Sequence, residues 1–187
     1  MTDADPNPAP GSLLLVQEFV NTLDIEEGTD AIDTPERLRS WLVAHGLAAA
    51  SARPSTGDVA RAADVREGLR ALLLANNGAP LDERAVRRLN RAAAEPHLRL
   101  RVAAGGRAVL QPVAADPAGA ALGTILAGVY AATADGTWAR LKACRSDACR
   151  WAFYDLSKNR SGHWCSMAVC GSREKVRAFR ARHATPA

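Results

Sequence analysis

Cys144, Cys149, Cys165 and Cys170 are the only cysteines in this 187-residue chain. They form two pairs, each with four residues between its members, and fifteen residues separate the pairs. Two close pairs across a loop are what a tetrahedral Zn²⁺ takes, because each pair brings two thiolates to one ion with Zn–S near 2.3 Å. Four thiolates fill the coordination sphere and leave no position for water or substrate, so the chemistry implied is structural, one zinc ion, and not catalytic. Two disulfide bridges would use the same four residues in an oxidising compartment.

The rest of the chain decides between these readings. A composition of 48% hydrophobic and 24% charged residues suits a globular protein with a core of its own, which needs no bridges. The opening "MTDADPNPAPGS" has neither the basic nor the apolar region of a secretory signal, and no apolar run approaches the roughly 20 residues that span a bilayer. A cytoplasmic location without membrane contact is the expectation, and there clustered cysteines bind metal. Arginine outnumbers lysine 21 to 3 in an alanine-rich chain, as in GC-rich bacterial coding.

Charge divides the chain. Residues 140–183 carry 11 Lys and Arg against 3 Asp and Glu, whereas the remainder carries 13 basic against 17 acidic residues. A basic segment around the cysteines on a mildly acidic body fits an anionic partner, of which DNA is the commonest. Lys158 and Arg160 lie in the turn-like "SKNRSG". In "GSREKVRAFRARH", Arg173, Arg177 and Arg180 share a helical face with Lys175 nearby. These six are the candidate DNA contacts. Ser172 is read as the cap of that helix, with Val176 and Phe179 packing it on the finger. Trp151, Phe153, Tyr154 and Trp164 are read as the core of a small module. His163, two residues before Cys165, is not needed as a ligand beside four thiolates.

The elements that position these residues are mainly helical. "LLLVQEFVNTLD" reads as a buried helix. In "DTPERLRSWLVAHGL" Thr34 caps, Pro35 opens the helix, Leu38, Trp41 and Leu42 form its apolar stripe, and Gly46 stops it. Val65, Leu69, Leu72 and Leu73 mark a helix from Asp58 to about Asn76, ended by "NNGAP". Asp82 caps the next, with Val86 and Leu89 inward and Leu81 and Val86 in staple positions. Alternation in "HLRLRV" and the Gly-Gly turn after it predict one β-hairpin with its arginines outward. "DPAGAALGTILAGVYAATA" returns to helix. Within the cysteine segment "RWAFYDL" reads as a strand returning at "HWC", a zinc-pinned hairpin followed by a short basic helix. The domains expected are a disordered tail over 1–12, a helical body over 13–138 and a zinc finger over 139–187.

The segment "CRSDACRWAFYDLSKNRSGHWCSMAVCGSREKVRAFRARH" resembles the CGNR zinc finger. "LVQEFVNTLD" and "TPERLRSWL" resemble the helical ABATE domain that precedes this finger in bacterial stress-induced transcription regulators. The resemblance implies Cys144, Cys149, Cys165 and Cys170 as zinc ligands, a DNA-binding finger, and a body that senses an effector or dimerises. Two departures stand out. Residues 170–173 read CGSR, with Ser172 in the place of Asn, and Gly162-His163 stands where the family commonly has a basic pair.

The leading expectation is a zinc-dependent DNA-binding regulator. The alternative is a zinc-stabilised protein-interaction module, and a thiol redox switch is compatible with either. No HExxH, G-x-S-x-G, P-loop or dinucleotide glycine pattern occurs, so no enzyme is expected. Glu18, Asn21 and Thr22 are polar groups in an apolar segment. They either face an effector pocket or satisfy local backbone.

Overall fold

Helix signals in the sequence translate directly into caps. A computed structural model of the chain describes residues 7–94, 97–106, 108–113 and 116–183. Helix α1 spans Leu13–Val20. Thr34 Oγ1 accepts a bond from the Arg37 amide at 3.2 Å, so α2 starts at Pro35 and runs to Ala44, with Gly46 beyond it at φ +66°. Ser55 and Asp58 form a reciprocal capping box, which starts α3 (Thr56–Asn76) two residues before the expected Asp58. Asp82 accepts from the Arg84 and Ala85 amides and opens α4 (Glu83–Ala92). Leu89 is buried there, and Ala85 takes the inward place expected of Val86, while Leu81 stays 52% exposed and makes no buried staple.

The helix expected throughout "LLLVQEFVNTLD" ends at Val20. Thr22 Oγ1 turns back to the Phe19 carbonyl at 2.8 Å, and a two-residue strand β1 (Leu23–Asp24) pairs antiparallel with β2 (Thr29–Asp30). Strands β3 (His97–Val102) and β4 (Ala108–Val113) form the predicted hairpin, with Leu100 opposite Leu110. Arg99 and Arg101 are exposed as expected, but so are Leu100 and Val102. Helix α5 (Pro117–Ala134) is capped by Asp116 and packs on β4 and α1. Among the described residues it is the one helix long and apolar enough to cross a membrane, by length and composition; Leu122 and Ile125 are buried in the protein core.

That core joins Leu13, Val16, Phe19 and Val20 of α1 to Val65, Leu69 and Leu73 of α3 and to Leu122 and Ile125 of α5. Phe19 is fully buried, with the Trp41 ring centroid 5.5 Å away. Truncating such a side chain costs about 3–5 kcal/mol. Gly68 of α3 faces Leu89 so closely that a Cβ there would lie 2.5 Å from the leucine Cβ, which lets α3 and α4 pack in direct contact.

A short 3₁₀ turn at Trp138–Arg140 leads without a linker into β5 (Leu141–Ala143), which pairs antiparallel with β6 (Ala152–Tyr154). The finger hairpin therefore flanks the first cysteine pair, with β5 before Cys144 and β6 after Cys149. "HWC" makes no strand; its His163 carbonyl instead accepts from the Arg145 amide at 3.1 Å. Leu141, Ala143, Ala152 and Tyr154 belong to the same hydrophobic core as α1, α3 and α5. Residues 1–6 of the expected disordered tail lie outside the described residues. Residues 7–12 pack on the protein: Ala9 is buried, its amide donates to Gln17 Oε1 at 2.7 Å, and the Tyr154 amide donates to the Asn7 carbonyl.

Candidate metal centre and basic face

The loop between β5 and β6 carries the first cysteine pair. Cys144 N–H donates to the Trp151 carbonyl at 2.9 Å and closes the hairpin, while the Cys149 and Arg150 amides both turn to the Ser146 carbonyl at 3.0 Å. Arg150 takes a left-handed conformation (φ 55°) to complete this turn. The second pair is set by Ser166, whose side chain accepts from the Val169 amide at 3.3 Å and opens a wide π turn over Met167–Gly171. Helix α6 (Ser172–His183) continues it, so the helix cap is Ser166 and not the expected Ser172. A Cβ on Gly171 would sit 2.3 Å from Met167 Sδ and 3.1 Å from the Trp164 ring. A side chain there would displace the exposed, flexible Met167 side chain and crowd the Trp164 ring.

The four sulfur atoms lie within 4.8 Å of one another; Cys149 and Cys165 Sγ are 3.6 Å apart, and Cys165 and Cys170 Sγ 3.7 Å. Tetrahedral thiolates with Zn–S near 2.3 Å stand about 3.8 Å apart, so these residues fit the ion. Without an ion the cluster favours neutral thiols over four thiolates. Thiol donors on Cys149 and Cys165 ease ionisation of Cys144, which lowers its pKa. Hydrogen bonding with Cys144 and burial then push the Cys149 and Cys165 thiols up, and burial does the same to Cys170. Only a cation among them makes four thiolates tolerable. Trp151 and Trp164 pack on the cluster, consistent with core rather than stacking roles; Phe153 and Tyr154 are buried.

Five polar residues of the body hold this unit. Asn21 accepts from the Ala152 amide at 2.7 Å and donates to the Ala152 carbonyl at 3.0 Å, completing the free edge of β6 as a neighbouring strand would. Gln17 donates to the same carbonyl at 3.4 Å. Asn76 donates to the Leu141 carbonyl, Asn77 to the Ala143 and His163 carbonyls. Arg70, only 4% exposed, donates to the Arg150 carbonyl at 2.8 Å and to the Val20 carbonyl at 2.7 Å. His163 Nδ1 meets Asn77 Oδ1 at 2.8 Å, which ties its ring to the body, and His163 is not part of the four-cysteine cluster.

Glu18, Asn21 and Thr22 therefore do not gather around a pocket. Asn21 binds β6, Glu18 faces His45 Nε2 at 3.5 Å, and Thr22 Oγ1 accepts from Arg66, which is buried and paired with Asp30 at 2.7 Å. Of the three, Asn21 alone meets the finger, while Glu18 and Thr22 engage side chains of the body. Sequence reasoning marked Asn76 and Asn77 only as helix breakers and gave Arg70 no role; nothing in their spacing reveals contacts more than 65 residues distant, as from Asn77 to Ala143.

The turn carrying Lys158 and Arg160 is pinned from beneath. Lys142 Nζ, 3% exposed as a residue, donates to Asp155 Oδ2 at 2.7 Å and to the Arg160 and Gly162 carbonyls at 2.5 and 3.1 Å. Burial opposes the Asp155 charge, but Lys142 and the Ser157 and Gly162 amides outweigh it and hold its pKa well below the usual carboxylate range. Arg140 donates to the Asp155 and Ser157 carbonyls, both at 2.9 Å. Lys158 and Arg160 project from this frame into solvent.

Arg173, Arg177 and Arg180 line one open groove of about 700 Å³ with Ala168, Val169, Ser172 and Val176, and Lys175 is exposed on the same helix. Val176 and Phe179 do not pack on the finger: they are 49% and 55% exposed. Glu174 faces the finger instead, where Ser146 Oγ donates to it at 3.4 Å.

With this geometry in view, comparison with protein families gives two matches in chain order. Residues 14–140 match ABATE, described as "Putative stress-induced transcription regulator", and residues 140–183 match the CGNR zinc finger. Both are regulator or zinc-finger types and not enzyme families. The four cysteines are accordingly the ligands of one structural zinc ion. No curated protein matches the chain.

Proposed function

Because the chain belongs to the ABATE family and ends in a CGNR zinc finger, we propose that it is a zinc-dependent transcription regulator that binds duplex DNA through Arg173, Lys175, Arg177 and Arg180 of α6 and through Lys158 and Arg160. The observation that carries this reading is the arginine row on α6. Arg173, Arg177 and Arg180 are exposed along one groove, and α6 follows directly on the π turn that carries Cys170, so a metal held there would set its direction. Guanidinium groups so held suit phosphate and guanine alike. Zinc would orient the helix, the buried Lys142–Asp155 pair would hold the loop, and phosphate contacts would supply salt-sensitive affinity.

Dimerisation through the body is part of the proposal. Leu100 and Val102 on the β3–β4 hairpin and Tyr130 on α5 are 64%, 65% and 59% exposed. A dimer would add the contact area that one short finger lacks. Sedimentation of the zinc-loaded protein tests it, and a monomer at high concentration removes it. No effector residues are assigned, since Glu18, Asn21 and Thr22 are committed elsewhere.

Fluorescence anisotropy of a labelled random-sequence duplex, titrated with zinc-loaded protein over a salt series, tests the central claim. Affinity should fall steeply with salt, and Arg177→Ala should reduce the slope of log K against log salt by about one. No binding at low salt would reject the DNA reading and favour the protein-interaction alternative.

A further inference from the structure

We propose that Val176 and Phe179 are the residues of α6 that enter the DNA groove and contact thymine methyl groups, with the basic residues on either side bound to phosphate. The inference rests on the DNA-binding reading above and identifies which side chains would read sequence.

The argument starts from helical geometry. At about 100° per residue, Val176 and Phe179 form an apolar stripe along α6, and His183 extends it; the Phe179 and His183 rings stack at 4.1 Å. The Arg173, Arg177 and Arg180 row flanks the stripe on one side, and Lys175 and Arg182 flank it on the other. Glu174, the half-buried residue of this first turn, lies on the opposite face towards Ser146, where its carboxylate also pairs with Arg177 at 2.9 Å, an exposed bond that a phosphate would exchange. The stripe thus points away from the protein with cations on both margins.

A lone surface helix seldom gains from such an arrangement, because an apolar stripe normally faces the core. Its charge pattern identifies the complement. Duplex DNA offers two rows of phosphates on either side of a major groove wide enough for a helix, and the thymine methyl is the apolar feature on the groove floor. Phosphates would meet the two basic margins and the methyl groups the stripe. A second copy of α6 would bring cationic margins together, which disfavours self-pairing. A lipid surface would meet only two large apolar side chains, too few for stable insertion.

The test uses the zinc-loaded full chain and two duplexes of one A·T-rich sequence, one with thymine and one with uracil, which lacks the methyl group. Wild type should prefer the thymine duplex by about fourfold for each methyl buried. Phe179→Ala should lose that preference while keeping the salt slope, and Phe179→Leu should retain most of it. Arg177→Ala should do the reverse, lowering the slope and keeping the preference. Phe179 is more than half exposed, so its truncation leaves the fold intact, which circular dichroism and zinc content would verify. Equal affinity for both duplexes, unchanged by Phe179→Ala, would overturn this inference alone. Binding to phosphatidylserine-containing vesicles that Phe179→Ala abolishes, with duplex affinity unchanged, would also overturn it. Failure to bind either duplex at low salt would overturn it together with the DNA reading.

Discussion

Glu26, in the turn between β1 and β2, accepts a hydrogen bond from Arg173 Nη1 at 2.5 Å, joining the acidic side of the body to the first arginine of α6. The partners are separated by 147 residues and both remain largely exposed. The hydrogen bond and charge of the Glu26 carboxylate raise the Arg173 pKa. A phosphate at Arg173 would have to displace this carboxylate.

Glu26→Gln should therefore tighten duplex binding by about twofold to fivefold at low salt, the scale of an exposed ion pair. Glu27→Gln is the control. Anisotropy titrations that give equal affinities for all three proteins would remove any competition between Glu26 and DNA.

The double bond from Asn21 to Ala152 predicts a stability effect. Asn21→Ala leaves the Ala152 N–H at the edge of β6 without its side-chain partner and its carbonyl with only the longer bond from Gln17. Leaving buried polar groups unpaired costs about 1–3 kcal/mol, and at this chain length each kcal/mol lowers Tm by about 2–4 °C. A thermal melt of the zinc-loaded protein unchanged by the substitution would show the contact to be dispensable.

Lys142 and Asp155 predict a pH dependence. The folded pKa of Asp155 lies below its unfolded value near 3.9. Its stabilising contribution is complete above that value and is lost as pH falls through it towards the folded pKa. Asp155→Asn, which still accepts backbone bonds, should cost about 3–5 kcal/mol at pH 7, and the gap to wild type should narrow below pH 4. Denaturant melts at both pH values would check this; a gap independent of pH would contradict it.

Chelation should separate the two parts of the finger. Strands β5 and β6 are held by Asn21, Asn76, Asn77 and the shared core, whereas α6 follows a π turn that carries the ligand Cys170. Removing zinc should preserve most far-ultraviolet helical signal, change the fluorescence of Trp151 and Trp164, and abolish duplex binding. Global unfolding on chelation would show that the metal supports the body as well.

The zinc site was legible because ligand chemistry is local. Two Cys-x₄-Cys pairs declare their ion whatever the surrounding fold, and Thr34, Pro35 and Asp82 declare helix starts because a cap acts on amides two or three residues away. The hairpin was legible from the alternation in "HLRLRV", but the partner of β6 was not. Strand β5 has three residues, all buried, and so carries no alternation to read. What Asn21, Asn77 and Arg70 do depends on which distant carbonyls the fold leaves unpaired, and no spacing records that. The outward turn of Val176 and Phe179 likewise came only from tertiary structure. Helical periodicity places them on one face, and the packing of Glu174 against Ser146 decides that this face meets solvent.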